Sequence, residues 1–192
     1  MFVSDMNNET EHIGLKRRRF SLYELYRDIL VESFDFKNIK TYKYTDTHDG
    51  WKFDAELNGE VVVVYVYVEE TVVDRFNIPP ILSNIKTIFN FGFEIGAGRV
   101  GNQYTKTEIV EYFRVLATVG KILNEFIDKK RPDAITFFSD SKHGGHSVDT
   151  QKDNIYFAAL DRNTPPGYEI ENTSDNVVGK HGIMLFRKEV RK

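Results

Sequence analysis

Between Trp51 and Leu57 apolar and polar residues alternate without a break: Trp51, Phe53, Ala55 and Leu57 against Lys52, Asp54 and Glu56. A strand whose side chains switch faces at every step turns one face to a core and the other to water. Asn58-Gly59 follows, the pair favoured where both central positions of a tight hairpin turn need φ > 0. Glu60 to Glu69 is then almost wholly β-branched or aromatic, with Val61 to Val64, Tyr65, Val66, Tyr67 and Val68. Apolar residues on both faces predict a central strand covered on both sides. Upstream, Thr41 to Thr45 alternates Thr, Tyr, Lys, Tyr and Thr, and His48-Asp49-Gly50 supplies a turn. The three segments predict an antiparallel meander.

Elsewhere the spacing is helical. Ser21-x-x-Glu24 is a capping box, and Leu22, Leu25, Tyr26, Ile29, Leu30 and Phe34 predict an amphipathic helix from Leu22 to Glu32. Pro79-Pro80 opens a short helix through Ile85, and Phe89, Phe91, Phe93 and Ile95 alternate as a fourth strand. Thr105-x-x-Glu108 is a second capping box, heading a long helix with Ile109, Tyr112, Phe113, Leu116, Val119, Leu123, Phe126 and Ile127 on one stripe. Lys129, Lys130 and Arg131 suit its C-terminus, and Pro132 ends it.

Ala134 to Phe138 predicts a short buried strand, Ser139 to Thr150 a polar loop, and Asp153 to Leu160 a short helix. Pro165-Pro166-Gly167 is a turn. Tyr168 to Glu171 and Ile183 to Arg187 form a closing strand pair, joined by the polar segment Asn172 to Gly182. Residues 1–19 read as a flexible tail, since Asn7, Asn8, Glu9, Thr10 and Glu11 have little to bury. Residues 20–192 then form one α/β (α+β) domain, a mixed, mostly antiparallel sheet flanked by helices.

Composition narrows the chemistry. The 192 residues are 41% hydrophobic, enough for one domain with a substantial core. Fifteen Phe and ten Tyr against one Trp favour a thick sheet core, or an aromatic surface that meets a partner. The chain has no cysteine, which excludes disulfides, thiolate nucleophiles and Cys-ligated metals. A net charge of −3 gives no overall drive toward nucleic acid or an anionic membrane. No apolar run reaches membrane-spanning length, and the polar, acidic stretch Met1 to Leu15 does not look like a secretory signal.

Several clusters invite a role. Lys16-Arg17-Arg18-Arg19 reads as a patch for phosphates or an acidic partner, or as a solvated linker. His143 and His146, flanked by Asp140 and Asp149, have residue types that ligate a divalent metal. Gly144-Gly145 between them favours an open solvated loop, and no metal site is expected. Tyr42, Tyr44, Tyr65 and Tyr67 line one face, either packed under helices or forming an assembly interface. Gly96-Ala97-Gly98-Arg99-Val100-Gly101 matches G-x-G-x-x-G, but the next helix starts several residues late and a meander precedes the loop. A dinucleotide site needs the third glycine at the helix start, in a βαβ unit.

The order of helix, three strands, strand, glycine loop, long helix, strand, short helix and two strands resembles the GNAT family of N-acetyltransferases. In that family the loop before the long helix holds the acetyl-CoA pyrophosphate through backbone N–H groups. The resemblance puts Gly98, Arg99, Gly101 and Asn102 at that cofactor, with Glu94 as base and Tyr156 as acid. The family places two residues between an Arg or Gln and the next glycine, whereas here Val100 alone separates Arg99 from Gly101. Tyr112-Phe113-Arg114-Val115-Leu116-Ala117-Thr118-Val119, then Phe126-Ile127, then Pro132-Asp133-Ala134-Ile135-Thr136-Phe137-Phe138-Ser139 resemble a class of small tailed-bacteriophage proteins with a degenerate acetyltransferase-like fold. That resemblance implies a protein of the host cytoplasm or the virion. It implies no established activity; together with the imperfect acyl-CoA signature and the lack of a convincing polar constellation, the expectation is a non-catalytic structural or accessory role through protein partners, other phage proteins or further copies of the chain among them. An acetyl-CoA-dependent N-acyltransferase is the alternative.

Overall fold

The computed structural model describes residues 20–21, 39–57, 59–96, 103–104, 106–138, 160–161, 163–177 and 179–192. The helix expected at Leu22 to Glu32, the tail, the histidine loop and all but the end of the helix expected at Asp153 to Leu160 lie outside them. Among the described residues nine strands and one long helix follow in chain order: β1 (Phe20–Ser21), β2 (Thr45–Thr47), β3 (Gly50–Leu57), β4 (Glu60–Thr71), β5 (Ile88–Ile95), β6 (Gln103–Tyr104), α1 (Lys106–Lys130), β7 (Ala134–Phe137), β8 (Tyr168–Asp175) and β9 (Lys180–Arg187). Seven strands make one open sheet in the order β2-β3-β4-β5-β7-β9-β8, and β1 pairs β6 in a separate two-stranded ladder. Every neighbouring pair in the large sheet is antiparallel except β5 and β7. The architecture is the mixed, mostly antiparallel α/β domain that the sequence predicts.

The meander forms where alternation is strict. β3 and β4 pair from Gly50↔Tyr67 to Leu57↔Glu60, and Gly59 in the turn between them holds φ at 76°. Helix α1 packs across one sheet face. Val115, Val119, Ile122, Leu123, Phe126 and Ile127 meet Phe53, Ala55, Val62, Val64, Val66, Phe91, Ile135 and Leu185. Phe126 sits edge-on between Trp51 and Phe89, with ring centroids 6.3 and 5.2 Å away. Arg131, at φ 46°, turns the chain out of the helix and donates its N–H to the Ile127 carbonyl, and Pro132 prevents continuation.

The other face has a second, smaller core. Phe76, Leu82, Ile85 and Val190 close over Ile88, Ala134, Met184 and Phe186. The helix expected after Pro79-Pro80 is a single 3-10 turn, Pro80–Leu82, which drops Leu82 into this core. One turn suffices to bury Leu82 and Ile85, and the chain must then extend into β5.

Three further expectations change. Tyr42 and Tyr44 precede the strand, which is confined to Thr45–Thr47. The Tyr42 backbone N–H donates to Thr118 Oγ1 on α1 (3.0 Å) in place of a ladder bond. β4 is central by pairing but is not covered on both sides: Val61 is 75% and Tyr65 51% exposed. The second core reaches β5, β7 and β9 and stops short of β4. Finally, β8 and β9 run on to Asp175 and Lys180, so most of the polar segment expected as a loop is strand. An edge strand tolerates such residues, because its partner satisfies one side of its backbone and its side chains reach water.

Candidate functional site

β5 is the element on which the candidate residues converge. It pairs with β4 along its whole length, from Thr71↔Ile88 to Val64↔Ile95. With β7 it pairs over three rows only, Ile88↔Ala134 to Asn90↔Thr136, and then continues for five residues. The sheet therefore opens beyond Asn90. Aromatic rings stand at the opening: Phe137 packs against Phe91 (5.8 Å, tilted) on the helix side, and Phe138 stacks on Phe76 (5.8 Å, 9°) on the other. Thr136 is fully buried and bonds the Phe89 carbonyl at 3.4 Å.

Glu94 is exposed near the end of β5, opposite Tyr65. Phe93 and Ile95 pack into the helix-side core, so Glu94 stands on the face away from α1. Gly98, Arg99, Gly101, Asn102 and Tyr156 lie outside the described residues, as do Lys16 to Arg19 and the two loop histidines. Among the described residues there is no group of three His, Asp or Glu side chains suited to a metal ion.

That same face carries a second feature. Because side chains alternate along β4, Val61, Val63, Tyr65 and Tyr67 stand in one line on the side away from α1. Their cross-strand neighbours are set by register. Lys52, Tyr65 and Glu94 form one row, Gly50, Tyr67 and Gly92 the next, and Glu56 stands beside Val61. The Tyr67 ring lies over Gly92, where a methyl group would overlap its hydroxyl. The four tyrosines expected on one face thus divide. Tyr65 and Tyr67 mark the open face, whereas Tyr42 and Tyr44 belong to the helix side.

Tyr42 stacks on Phe53 (5.7 Å, 18°), with the Arg114 guanidinium 3.9 Å above its ring. Arg114 Nε also donates to the Lys40 carbonyl at 2.8 Å. Tyr44 donates its hydroxyl to Glu125 Oε1 at 2.5 Å, with Lys121 5.5 Å from the ring. Partial burial, then the hydrogen bond and charge of Glu125 and the charge of Asp46, raise the Tyr44 phenol far above its ordinary value. These contacts strap the chain before β2 across α1 and account for both rings by packing.

A polar cluster that sequence reasoning missed lies at the opposite end of β5 and β7. Asp133 Oδ2 accepts the backbone N–H groups of Lys86 (3.0 Å) and Thr87 (3.2 Å), and Oδ1 accepts Arg187 Nη2 at 2.7 Å. The Tyr168 hydroxyl donates to the Pro132 carbonyl at 2.8 Å. Burial raises the Tyr168 phenol above its ordinary 10.0, opposed by Arg187 and aided by Asp133. Arg75 and the buried Asp175 pair at 2.6 Å where β8 ends. Each group serves the join between strands and connecting chain. The only sequence signal was an Asp directly after a helix-ending proline.

No protein-family model matches the sequence, and no curated protein does. Among the described residues no helix is long and apolar enough to cross a membrane.

Proposed function

We propose that this chain is a non-catalytic structural or accessory protein of a tailed bacteriophage that works by binding protein partners. The open face of β4 carries this reading. Val61, Tyr65 and Tyr67 are 75%, 51% and 37% exposed in one line on a strand paired with β3 throughout this stretch and with β5 from Val64 onward. Single exposed apolar residues are ordinary, but a contiguous line of them is characteristic of a contact surface. Tyr suits such a surface, since its ring is apolar and its hydroxyl tolerates water. The phage assignment rests on the segments Phe113 to Val119 and Pro132 to Ser139. Their Val115, Ala117, Thr118, Val119, Ile135 and Thr136 are buried, so that likeness concerns the framework.

The test is affinity capture from phage-infected host extract with tagged wild-type protein, Val61→Asp, Tyr65→Asp and Val110→Asp. Val110 is 65% exposed on α1 and serves as control. A partner retained by wild type and Val110→Asp but lost by the two face variants supports the reading. Capture indifferent to all three overturns it.

A second reading, an acetyl-CoA-dependent N-acyltransferase, is favoured by the strand order and by the one parallel pair parting after Asn90. Both accord with an N-acetyltransferase-like layout. Fit to acetyl-CoA is partial: β5 extends beyond its pairing with β7, but the Phe91 and Phe137 rings occupy the helix side of the opening. Gly98, Arg99, Gly101 and Asn102 would hold the pyrophosphate, Glu94 would take a proton from the acceptor amine, and Tyr156 would return one to the leaving thiolate. Titration calorimetry with acetyl-CoA decides. Heat of binding that disappears in Gly101→Glu supports the enzyme, and its absence at millimolar ligand retires it.

A further inference from the structure

The open face carries predominantly negative charge around its apolar line. On β3, Asp54 and Glu56 project from it. Glu69 does so on β4 and Glu94 on β5, all exposed, and among the described residues of these three strands Lys52 is the one cation on that face. Glu94 and Lys52 flank Tyr65, and Glu56 flanks Val61. From Val64 to Tyr67 the backbone of β4 is bonded to β3 on one side and β5 on the other, and at Val63 the carbonyl accepts the Gly96 N–H, so a partner lying along Tyr65 and Tyr67 meets side chains and cannot add there as a strand. An α-helix is the element that packs on a sheet face without using its own backbone groups. Three strands span about 10 Å, close to a helix diameter of about 10 Å. The line from Val61 to Tyr67 is about 20 Å long, which a helix of about 13 residues matches.

We infer that this face docks a basic amphipathic helix of a protein partner. Its apolar stripe lies along Val61, Tyr65 and Tyr67, and its Lys or Arg residues lie against Asp54, Glu56, Glu69 and Glu94. The inference rests on the protein-contact reading above and adds the partner's chemistry. Apolar contact supplies affinity, and the acidic border selects a cationic helix and repels an acidic one.

The experiment is fluorescence anisotropy with the full chain and two labelled, stapled amphipathic helices. One is built from Leu, Ala and Lys, and the other has Glu in place of every Lys. Micromolar binding of the basic helix alone is expected, weakened roughly tenfold in the triple variant Asp54→Lys/Glu56→Lys/Glu94→Lys and by added salt. Val61→Asp and Tyr65→Asp should abolish it. Loss on those two variants with no effect of the charge reversals, or equal binding of both helices, overturns the basic partner and leaves the docking face intact. Binding untouched by Val61→Asp and Tyr65→Asp removes the face itself, and with it the functional reading. No binding of the basic helix overturns the inference. Nitration of the isolated chain, read by mass spectrometry, identifies other occupants. A shielded Tyr65 means that a second copy, or the helix expected at Leu22 to Glu32, already closes the face, and this too overturns it.

Discussion

The two halves of the sheet are built differently. β7, β9 and the start of β5 are covered on both faces, by α1 on one side and by the chain around Phe76, Leu82 and Val190 on the other. Among the described residues, β3 and β4 are covered on one face only. The doubly covered half holds the buried carboxylates, Asp133 and Asp175, each tied to an arginine and to backbone N–H groups. The singly covered half holds the exposed valine and tyrosines. Polar groups inside a core must be satisfied by fixed partners, so that half is committed to one arrangement. The exposed Val61 and Tyr65 reach water and can meet a partner.

Substitutions should respect this division. Asp133→Ala leaves the Lys86 and Thr87 N–H groups without their acceptor and Arg187 with Glu189 alone, and should destabilise the fold by about 4 kcal/mol, measured by urea unfolding. Gly182→Ala places a methyl against the Phe137 carbonyl and the Phe138 ring, all within the doubly covered half. Backbone cannot yield there, so a loss of about 3 kcal/mol is expected. Gly92→Ala meets the end of the Tyr67 side chain rather than backbone. Its cost should stay below about 1 kcal/mol, and the thermal midpoints of the two glycine variants test the contrast directly. A large loss in Gly92→Ala would mean that the open face is as constrained as the other half.

Tyr168 gives a pH test of the same contrast. Its folded phenol titrates above the ordinary 10.0, so the stabilisation it contributes is complete below pH 10 and is lost as pH rises toward the folded value. Tyr168→Phe should flatten the alkaline limb of a melting-temperature profile, and should also lose the bond to the Pro132 carbonyl at neutral pH. Smallest of all, Tyr65→Ser should leave stability within about 0.5 kcal/mol of wild type while weakening partner capture.

Period and punctuation made much of the fold legible. Trp51 to Leu57, Phe89 to Ile95 and the stripe from Tyr112 to Ile127 are long enough for a period of 2 or 3.6 to stand out. Tyr42 and Tyr44 were misread because alternation over five residues cannot separate a strand from a strap crossing a helix. Burial settled them through Thr118, Arg114 and Glu125. At the candidate site the tyrosines were visible as residues, but the side of the sheet each pair occupies was not. Nothing local in the sequence announces that Asp133 and Arg187, 54 residues apart, will meet.

By itself the sequence determined which segments become β3, β4, β5, α1 and β7, because their apolar spacing leaves one conformation that buries them. It also determined where α1 stops, since Pro132 has no N–H to continue the ladder. Only the tertiary structure decided which face of β4 stays open. Val61 to Val68 is apolar on both sides, and the choice depends on where α1 and the Phe76 to Ile85 segment come to rest. It likewise decided that β5 outruns β7, because strand length follows from pairing partners that lie far apart in the chain.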